Sequence, residues 1–295
     1  MSFSNSSEGS LLSSLEEWKD VTPVPNPQKS FYPFYVEMEP HYDQLMGYFR
    51  AIMNSGEESE RAKTITNSVI LNNPSNPCPF WYRRRVLESI GYNEKEELQF
   101  INSVLLDDSL KSYQLWFHRK WLVDNFKERP KGVELLKRIM IEDEKNFHAW
   151  SYSLWLAERW DMHREVFDLT TYFINLDSRN NSAWSARMKI LEKSGRSLEE
   201  EMKFALDTFA SDLTNESVCS YILCLSNKSD LLYNQAMTNI TKLPETPNQL
   251  SLLLHLKNMK NDHTMDDEIY GKLIKIDTIH TNYWRMLKMN SKQFD

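Results

Sequence analysis

A phrase built around tryptophan returns along this chain at a nearly constant step, and that step restricts the possible folds more than any other feature. Trp81, Trp116, Trp150 and Trp184 follow one another at intervals of 35, 34 and 34 residues, and a further 35 reaches Cys219 in "TNESVCSYI". A period of this size marks a repeat array, in which each unit buries its apolar face on its neighbours. Only 7 glycines occur in 295 residues. That is too few for the turns of a β-sandwich or for phosphate-cradling loops, which need positive φ or close backbone approach. The array is expected to be all-α.

The phase inside each unit defines two helices. Four residues before the aromatic stand Ser112, Asn146, Asn180 and Asn215, residue types that accept a hydrogen bond from a free amide of a helix's first turn. In the first unit Pro77 takes the equivalent place, where a missing amide hydrogen costs little. The aromatic then falls at the fourth helical position and faces inward, followed three residues later by Arg84, Arg119 and Arg187; Ser153 stands in for the arginine of the third unit. The second helix is marked by apolar stripes, Val133, Leu136 and Met140 in one unit and Val166, Leu169, Phe173 and Leu176 in the next. An early helix pair is expected from "YDQLMGYFRAIMNSGEESERAKTITNSVILNNP", and degenerate late ones end at Trp284. Residues 1–40, rich in serine and proline, read as a disordered tip and an extended proline-containing arm placed to clasp another surface. The repeat domain spans 41–291.

Several function classes are disfavoured. A net charge of −7 argues against a dedicated nucleic-acid binder. Cys78, Cys219 and Cys224 fit a reduced compartment without a disulfide framework. The absence of an apolar run of about 18 residues points to a protein that does not span a membrane, and the chain reads as cytoplasmic. Cys219 and Cys224 lie in no CxxC or HxxxH pattern and read as two core thiols, so no metal site is expected in this chain. With no GxxxxGK[ST], GxGxxG or GxSxG sequence, it does not look like a complete enzyme by itself.

The helix starts carry the remaining candidates. Lys111, Lys145 and Arg179 stand five residues before the aromatics, at the positive end of a helix dipole, where a cation is disfavoured unless an anion is near. Either they frame an anion site or they pair with Asp108, Asp143 and Asp177 close by in sequence. His118 and His148 either donate to a phosphate or bound water, or serve as packing residues. The run Arg83, Arg84, Arg85 is either a set of ion pairs and solvated cations or a contact to an acidic substrate.

The repeated phrase, together with "EEWKDVTPVPNPQ", "YFRAIMNSGEESERA", "KSYQLWFHRKW", "EDEKNFHAW" and "RNNSAWSAR", resembles the α-subunit repeat family of protein prenyltransferases. In particular it is similar to the α subunit shared by farnesyltransferase and type I geranylgeranyltransferase, from Glu16 to about Ser291. The Rab-type α subunit has related repeats but often carries further domains, and a tetratricopeptide-like scaffold, with a similar period, needs more glycine than these units hold.

The resemblance implies a right-handed α-α superhelix, a crescent-shaped solenoid of antiparallel hairpins, wrapped around a β subunit that holds a catalytic Zn2+, with Mg2+ accompanying the diphosphate. It implies transfer of a farnesyl or geranylgeranyl group from its diphosphate to the cysteine of a C-terminal CaaX sequence on proteins such as small GTPases. Residue by residue, it makes Lys111 the diphosphate contact and Gln114 the hydrogen-bond partner of the CaaX carboxylate. It places Tyr113 and His148 on the same pocket wall. Phe147 stands where many relatives have tyrosine, and Cys78 where relatives often place a tyrosine near the last substrate residue.

Overall fold

Every helix that carries the repeated phrase is opened by a side chain that bonds in two directions. In the computed structural model, which describes residues 12–27, 37–107, 109–130 and 133–291, Ser112, Asn146, Asn180 and Asn215 accept from the amides of Leu115, Ala149, Ala183 and Val218 at 3.3, 2.9, 3.1 and 3.2 Å. The same side chains also donate. Ser112 Oγ reaches the carbonyl of Pro74 at 2.6 Å, Asn180 Nδ2 that of Glu144 at 3.2 Å, and Asn215 Nδ2 that of Ser178 at 2.7 Å. Each acceptor carbonyl lies two residues before the cap of the preceding repeat. Ser112, Asn180 and Asn215 thus each cap their own helix and fasten it to the loop of the previous repeat, while Asn146 donates to Asp143 in its own loop at 3.2 Å.

The chain forms two compact units, Met1–Pro130 and Lys131–Asp295. The first holds α1 (Pro40–Ser55), α2 (Glu60–Asn72), α3 (Pro77–Ile90), α4 (Glu94–Leu106) and α5 (Tyr113–Asp124). The second holds α6 (Glu134–Glu142), α7 (Phe147–Trp160), α8 (His163–Leu176), α9 (Asn181–Ile190), α10 (Leu198–Ser211), α11 (Glu216–Ser226), α12 (Asp230–Ile240), α13 (Pro247–Asn258), α14 (Asp266–Ile276) and α15 (Thr281–Ser291). The described residues are all-helical, with no strand. Within each unit most helices adjacent in sequence pack on one another, and cap-bearing helices also do so, α3 on α5 and α7 on α9 on α11 on α13.

The tryptophans seal this frame. Trp116, Trp150 and Trp184 are buried, and each indole N–H donates at 2.8 Å to the carbonyl six residues earlier, on Leu110, Glu144 and Ser178. A buried indole needs such a partner, and here the acceptor belongs to the loop that enters the same helix. Trp284, closing the array, bonds Asp277 Oδ2 instead, at 2.8 Å. In the fifth repeat Cys219 fills the aromatic's place and its Sγ contacts the carbonyl of Asn215 at 3.2 Å.

The first repeat starts one residue earlier than the tryptophan spacing suggests. Its cap is Asn76, which accepts from the amide of Cys78 at 3.1 Å, and Pro77 is the first helical residue. The inward aromatic is therefore Phe80, fully buried, while Trp81 is 53% exposed. The loop from α4 to α5 is two residues longer than its counterparts, so near-equal spacing of the tryptophans conceals a shift of phase. The arginine moves with it: Arg83, not Arg84, takes the place of Arg119 and Arg187. Two further expectations change. Leu176, in the last turn of α8, is 62% exposed, and Cys224 is exposed rather than a core thiol.

Arg83 and Arg187 close two matching buried networks. Arg83 bonds Glu97 at 2.6 and 2.5 Å, Thr66 at 2.9 Å, and Asn67. Arg187 bonds Glu201, Thr170 and Thr171. A third partner completes each: His118 Nε2 lies 3.0 Å from Glu97, and Tyr221 donates to Glu201 at 2.8 Å. The glutamate stands 14 residues after its arginine in both. Arg119, whose fourteenth successor is Val133, bonds Asn102 at 3.0 Å instead. In the third repeat both partners are replaced together, by Ser153 and Phe167, both buried, so no charge is left stranded.

The N-terminal arm, so far as it is described, packs on its own chain. Trp18 is buried against Tyr48 at 5.5 Å, and Arg61 bonds the carbonyl of Glu17 and the carboxylate of Asp20 at 2.6 and 2.7 Å. Val24 donates to the carbonyl of Gly47 at 3.0 Å, and a Cβ on Gly47 would stand 3.1 Å from that of Pro23. This crossing is why α1 tolerates a glycine in its middle. The expected tip and the rest of the arm, residues 1–11 and 28–36, lie outside the described residues.

Three stability outcomes follow from this frame. Trp184→Ala should cost about 3–5 kcal/mol, while the exposed Trp81→Ala should stay within about 0.5 kcal/mol; chemical denaturation of both variants checks the difference. Asn215→Asp keeps the cap but turns a carboxylate toward the carbonyl of Ser178, and should destabilise by about 1–3 kcal/mol, against a few tenths for an ordinary surface change. The third concerns acid. Burial alone would raise the Glu97 carboxyl, but the hydrogen bonds from His118 and Arg83 bring it from an ordinary 4.5 down to about 2. Its contribution, on the order of 3 kcal/mol, is full above pH 4.5 and disappears as pH falls toward 2. His118, held neutral by burial against the pull of Glu97, adds stability that is lost below its ordinary 6.5. Unfolding midpoints should therefore fall continuously below pH 6.5, and Glu97→Gln should flatten the part below 4.5 while lowering stability at neutral pH by about 3–5 kcal/mol.

Candidate functional site

In α5, α7, α9 and α11 the cap side chain takes the third amide, and the first two lie ahead of the intrahelical ladder. These amides, with the dipole behind them, make the N-terminal ends of α5, α7, α9 and α11 positively polarised. The residues that decorate them stand in register. The position before the cap carries Lys111, Lys145 and Arg179; the first helical position carries Tyr113, Phe147 and Asn181; the second carries Gln114, His148 and Ser182.

In the first unit, Lys111, Tyr113 and Gln114 occupy consecutive places around the start of α5. Lys111 is exposed, Tyr113 is 70% exposed and Gln114 is half-buried. Lys111 lies on the turn that Ser112 closes by donating its amide to the carbonyl of Ser109 at 3.0 Å. A flexible cation, a phenol and a carboxamide at one helix start bring donor-bearing side chains together at the positive end of a helix dipole. Asp108, considered above as a partner for Lys111, lies outside the described residues.

In the second unit, Phe147 and His148 open α7. Phe147 is 70% exposed, His148 is half-buried, and their rings meet edge to face at 5.6 Å. Lys145 is exposed. Arg179 is engaged differently from either expectation. Its guanidinium bonds Asp212 at 2.8 Å and Thr214, and Asp177 accepts from its backbone amide at 2.9 Å. The Arg179 guanidinium beside Asp212 holds that carboxyl well below the usual range. The third cation is thus spent between successive repeats rather than at an anion site.

The one-residue shift of α3 bears on the site as well. Pro77 shares the first helical position with Tyr113 and Phe147, and Cys78 the second with Gln114 and His148. In the place of Tyr113 and Phe147 the first repeat therefore presents Pro77, which offers neither a hydroxyl nor an aromatic ring. His118 belongs to the interior, in the network with Glu97. Arg83 and Glu97 were missed as a pair; their 14-residue spacing, repeated by Arg187 and Glu201, was the available signal.

Three concavities lie elsewhere. About 170 Å³ opens beside Lys63, Asn67, Arg83 and Tyr92 in the first unit. In the second, about 330 Å³ lies between α9 and α11 against Trp184, Met188 and Tyr221, and about 350 Å³ beside Cys219, His255, His280 and Trp284. None is lined by Lys111, Tyr113, Gln114, Phe147 or His148. Among the described residues no group of three or more His, Cys, Asp or Glu could hold a metal ion. Burial, with Glu216 beside it, pushes the Cys219 thiol up to about 12, which keeps it protonated and inert. No helix among them is long and apolar enough to cross a membrane.

Comparison with known proteins bears on this arrangement. The family described as "Protein prenyltransferase alpha subunit repeat" matches residues 94–126 and 163–194, which are the α4–α5 hairpin and the α8–α9 hairpin with the turn after it. The chain is 35% identical over 88 residues to the protein farnesyltransferase/geranylgeranyltransferase type-1 subunit alpha of Solanum lycopersicum, covering 30% of this chain and 25% of the relative. It is 38% identical over 79 residues to that of Schizosaccharomyces pombe, covering 27% and 26%. The aligned segment thus spans about a quarter of the length of these curated relatives. Among solved structures, a chain of Candida albicans protein geranylgeranyltransferase-I complexed with GGPP superposes with a TM-score of 0.79 at 25% identity, over 92% of this chain and 98% of that one.

Proposed function

We propose that this chain, which belongs to the protein prenyltransferase α-subunit repeat family, is the α subunit of a heterodimeric CaaX prenyltransferase of the farnesyltransferase and type I geranylgeranyltransferase kind. The observation that carries the reading is the fold match over nearly the full length of both chains. The positively polarised helix starts supply its physical sense. The cysteine of a CaaX protein is the acceptor and farnesyl or geranylgeranyl diphosphate the donor. The catalytic zinc is assigned to a separate β chain. Magnesium travels with the diphosphate, and the complex works in the cytoplasm.

Within this reading each residue has a distinct task. Negative charge grows on the diphosphate as its bond to the isoprenoid carbon breaks. Lys111, at the N-terminal end of α5, opposes that charge, and such preorganised stabilisation acts more strongly on the transition state than on the bound donor. Gln114 hydrogen-bonds the terminal carboxylate of the acceptor and so sets its register. Tyr113 adds a phenol to the diphosphate side. His148 donates from the start of α7, and Phe147 contributes a ring without a hydroxyl, so one polar contact that a tyrosine would make is missing.

Co-expression with a zinc-bearing β chain tests the reading. Wild-type chain should form a stoichiometric complex that prenylates a CaaX peptide and is inactive without the β chain. Lys111→Ala should lower kcat by about 10²–10³-fold, the scale of one lost oxyanion contact, with KM and assembly little changed. A wild-type turnover from that variant removes Lys111 from the mechanism, and failure to assemble with any β chain removes the reading itself.

A further inference from the structure

Three consecutive arginines on α3 meet three different fates. Arg83 is buried and fully bonded by Glu97, Thr66 and Asn67. Arg85 pairs with Glu58 at 2.5 Å. Arg84, between them, makes no hydrogen bond or ion pair among the described residues, although its Nη1 is shut off from water. Glu88, one turn on, acts on it only at a distance, and burial makes its charged form costlier than usual. What it does touch is a ring: its guanidinium carbon stands 5.1 Å from the centre of Phe117 on α5.

The surroundings of Arg84 are an exposed aromatic patch. Phe117 is 57% exposed, Trp81, one turn before Arg84 on the same helix face, is 53% exposed, and Tyr113, one turn before Phe117, is 70% exposed. Exposed Lys120 continues the Phe117 face. None of these rings is needed by the repeat frame, whose aromatic place is filled by Phe80 and Trp116. An arginine set among tryptophan, tyrosine and phenylalanine has the composition of an interface hot spot. A desolvated guanidinium without an acceptor is unfavourable until one arrives from outside.

We infer that Arg84, backed by Phe117 and flanked by Trp81, anchors a carboxylate side chain of the companion β chain, and that this patch is a principal contact of the assembly. The inference rests on the reading under Proposed function and adds to it the recognition chemistry. A carboxylate fits because the planar guanidinium offers parallel N–H donors to its two oxygens, and exposed Lys120 adds a second cation beside the patch. A protein partner is favoured over the diphosphate by position. Arg84 is the eighth residue of α3, about 10 Å along the axis from that helix's N-terminus, and it rests on Phe117 in the second turn of α5, among rings that a folded surface would cover.

The test separates a docking role from a structural or substrate-binding one. Full-length wild type, Arg84→Gln and Arg83→Gln are compared for thermal unfolding, for binding to the β chains of a farnesyltransferase and of a type I geranylgeranyltransferase, and for KM values of assembled enzyme. Arg84→Gln should leave the unfolding midpoint of this chain unchanged or higher, since it removes an uncompensated charge. It should weaken β-chain binding by about 30-fold or more and leave both KM values unchanged when β chain is saturating. Arg84→Glu should weaken binding further. Unchanged binding by Arg84→Gln overturns the inference alone. So does an unfolding midpoint lowered as far as that of Arg83→Gln, or intact assembly with a raised KM for the peptide or the lipid diphosphate. Failure of the wild type to bind either β chain overturns the inference together with the functional reading.

Discussion

The repeat frame depends on a residue that accepts in one direction and donates in the other. A helix cap needs only an acceptor, and aspartate would serve. A tie to the preceding loop needs a donor as well, and that restricts the choice to asparagine or a hydroxyl. Asn180 and Asn215 use the two ends of one carboxamide, and Ser112 uses the lone pair and proton of one hydroxyl. The carbonyls that receive these bonds on Glu144 and Ser178 also receive the indole N–H of Trp150 and Trp184. Cap, tryptophan and neighbouring repeat therefore converge on one oxygen with two lone pairs, so the spacing between repeats is fixed at the same point as the start of each helix.

That convergence explains why the candidate residues can differ so widely from repeat to repeat. The positions just before and just after the cap carry no part of the tie. Lysine, arginine, tyrosine, phenylalanine, asparagine, glutamine, histidine and serine all occur there without altering the helix behind them. Substrate-directed chemistry can occupy these places at little structural cost, and repeats not used for it can spend the same positions on ordinary ion pairs. Arg179, bonded to Asp212 and Thr214 in the next repeat, is such a case, whereas Lys111 stands in the same phase at the start of α5.

Much of this was legible in the sequence because it is periodic. All-helical hairpins, the cap residues, the inward tryptophans of three repeats and the near-unvarying helix starts follow from spacing alone. The first repeat was misread for a physical reason: Trp81 and Phe80 are adjacent aromatics, and a proline beside an asparagine gives two plausible helix starts. Periodicity cannot decide between them when the following loop is also two residues longer. The buried networks were harder still, since Arg83 and Glu97 lie on different helices and their pairing appears only once the hairpin closes. Their joint absence from the third repeat, as Ser153 and Phe167, is legible only after the pair itself is known. The fate of Arg179 was hidden because its partner comes from the next repeat, not from the aspartate beside it.

The three arginines of α3 show how a helix turns one run of charge into separate functions. Successive side chains leave the axis about 100° apart, so neighbours in sequence face different media. Arg83 faces the interior and is matched there by a carboxylate, a hydroxyl and a carboxamide. Arg85 faces the loop before α2 and finds Glu58. Arg84 faces outward along a wall of rings, and nothing in the unit answers it. The strength of the first pairing and the emptiness of the second environment have a common origin. Fixing Arg83 on Glu97 sets the rotation of α3 about its own axis, and that rotation determines where Trp81 and Arg84 must point. The exposed patch is in this sense a consequence of the buried lock: a sequence that places an arginine in the lock and follows it with another commits the second to the surface beside Phe117.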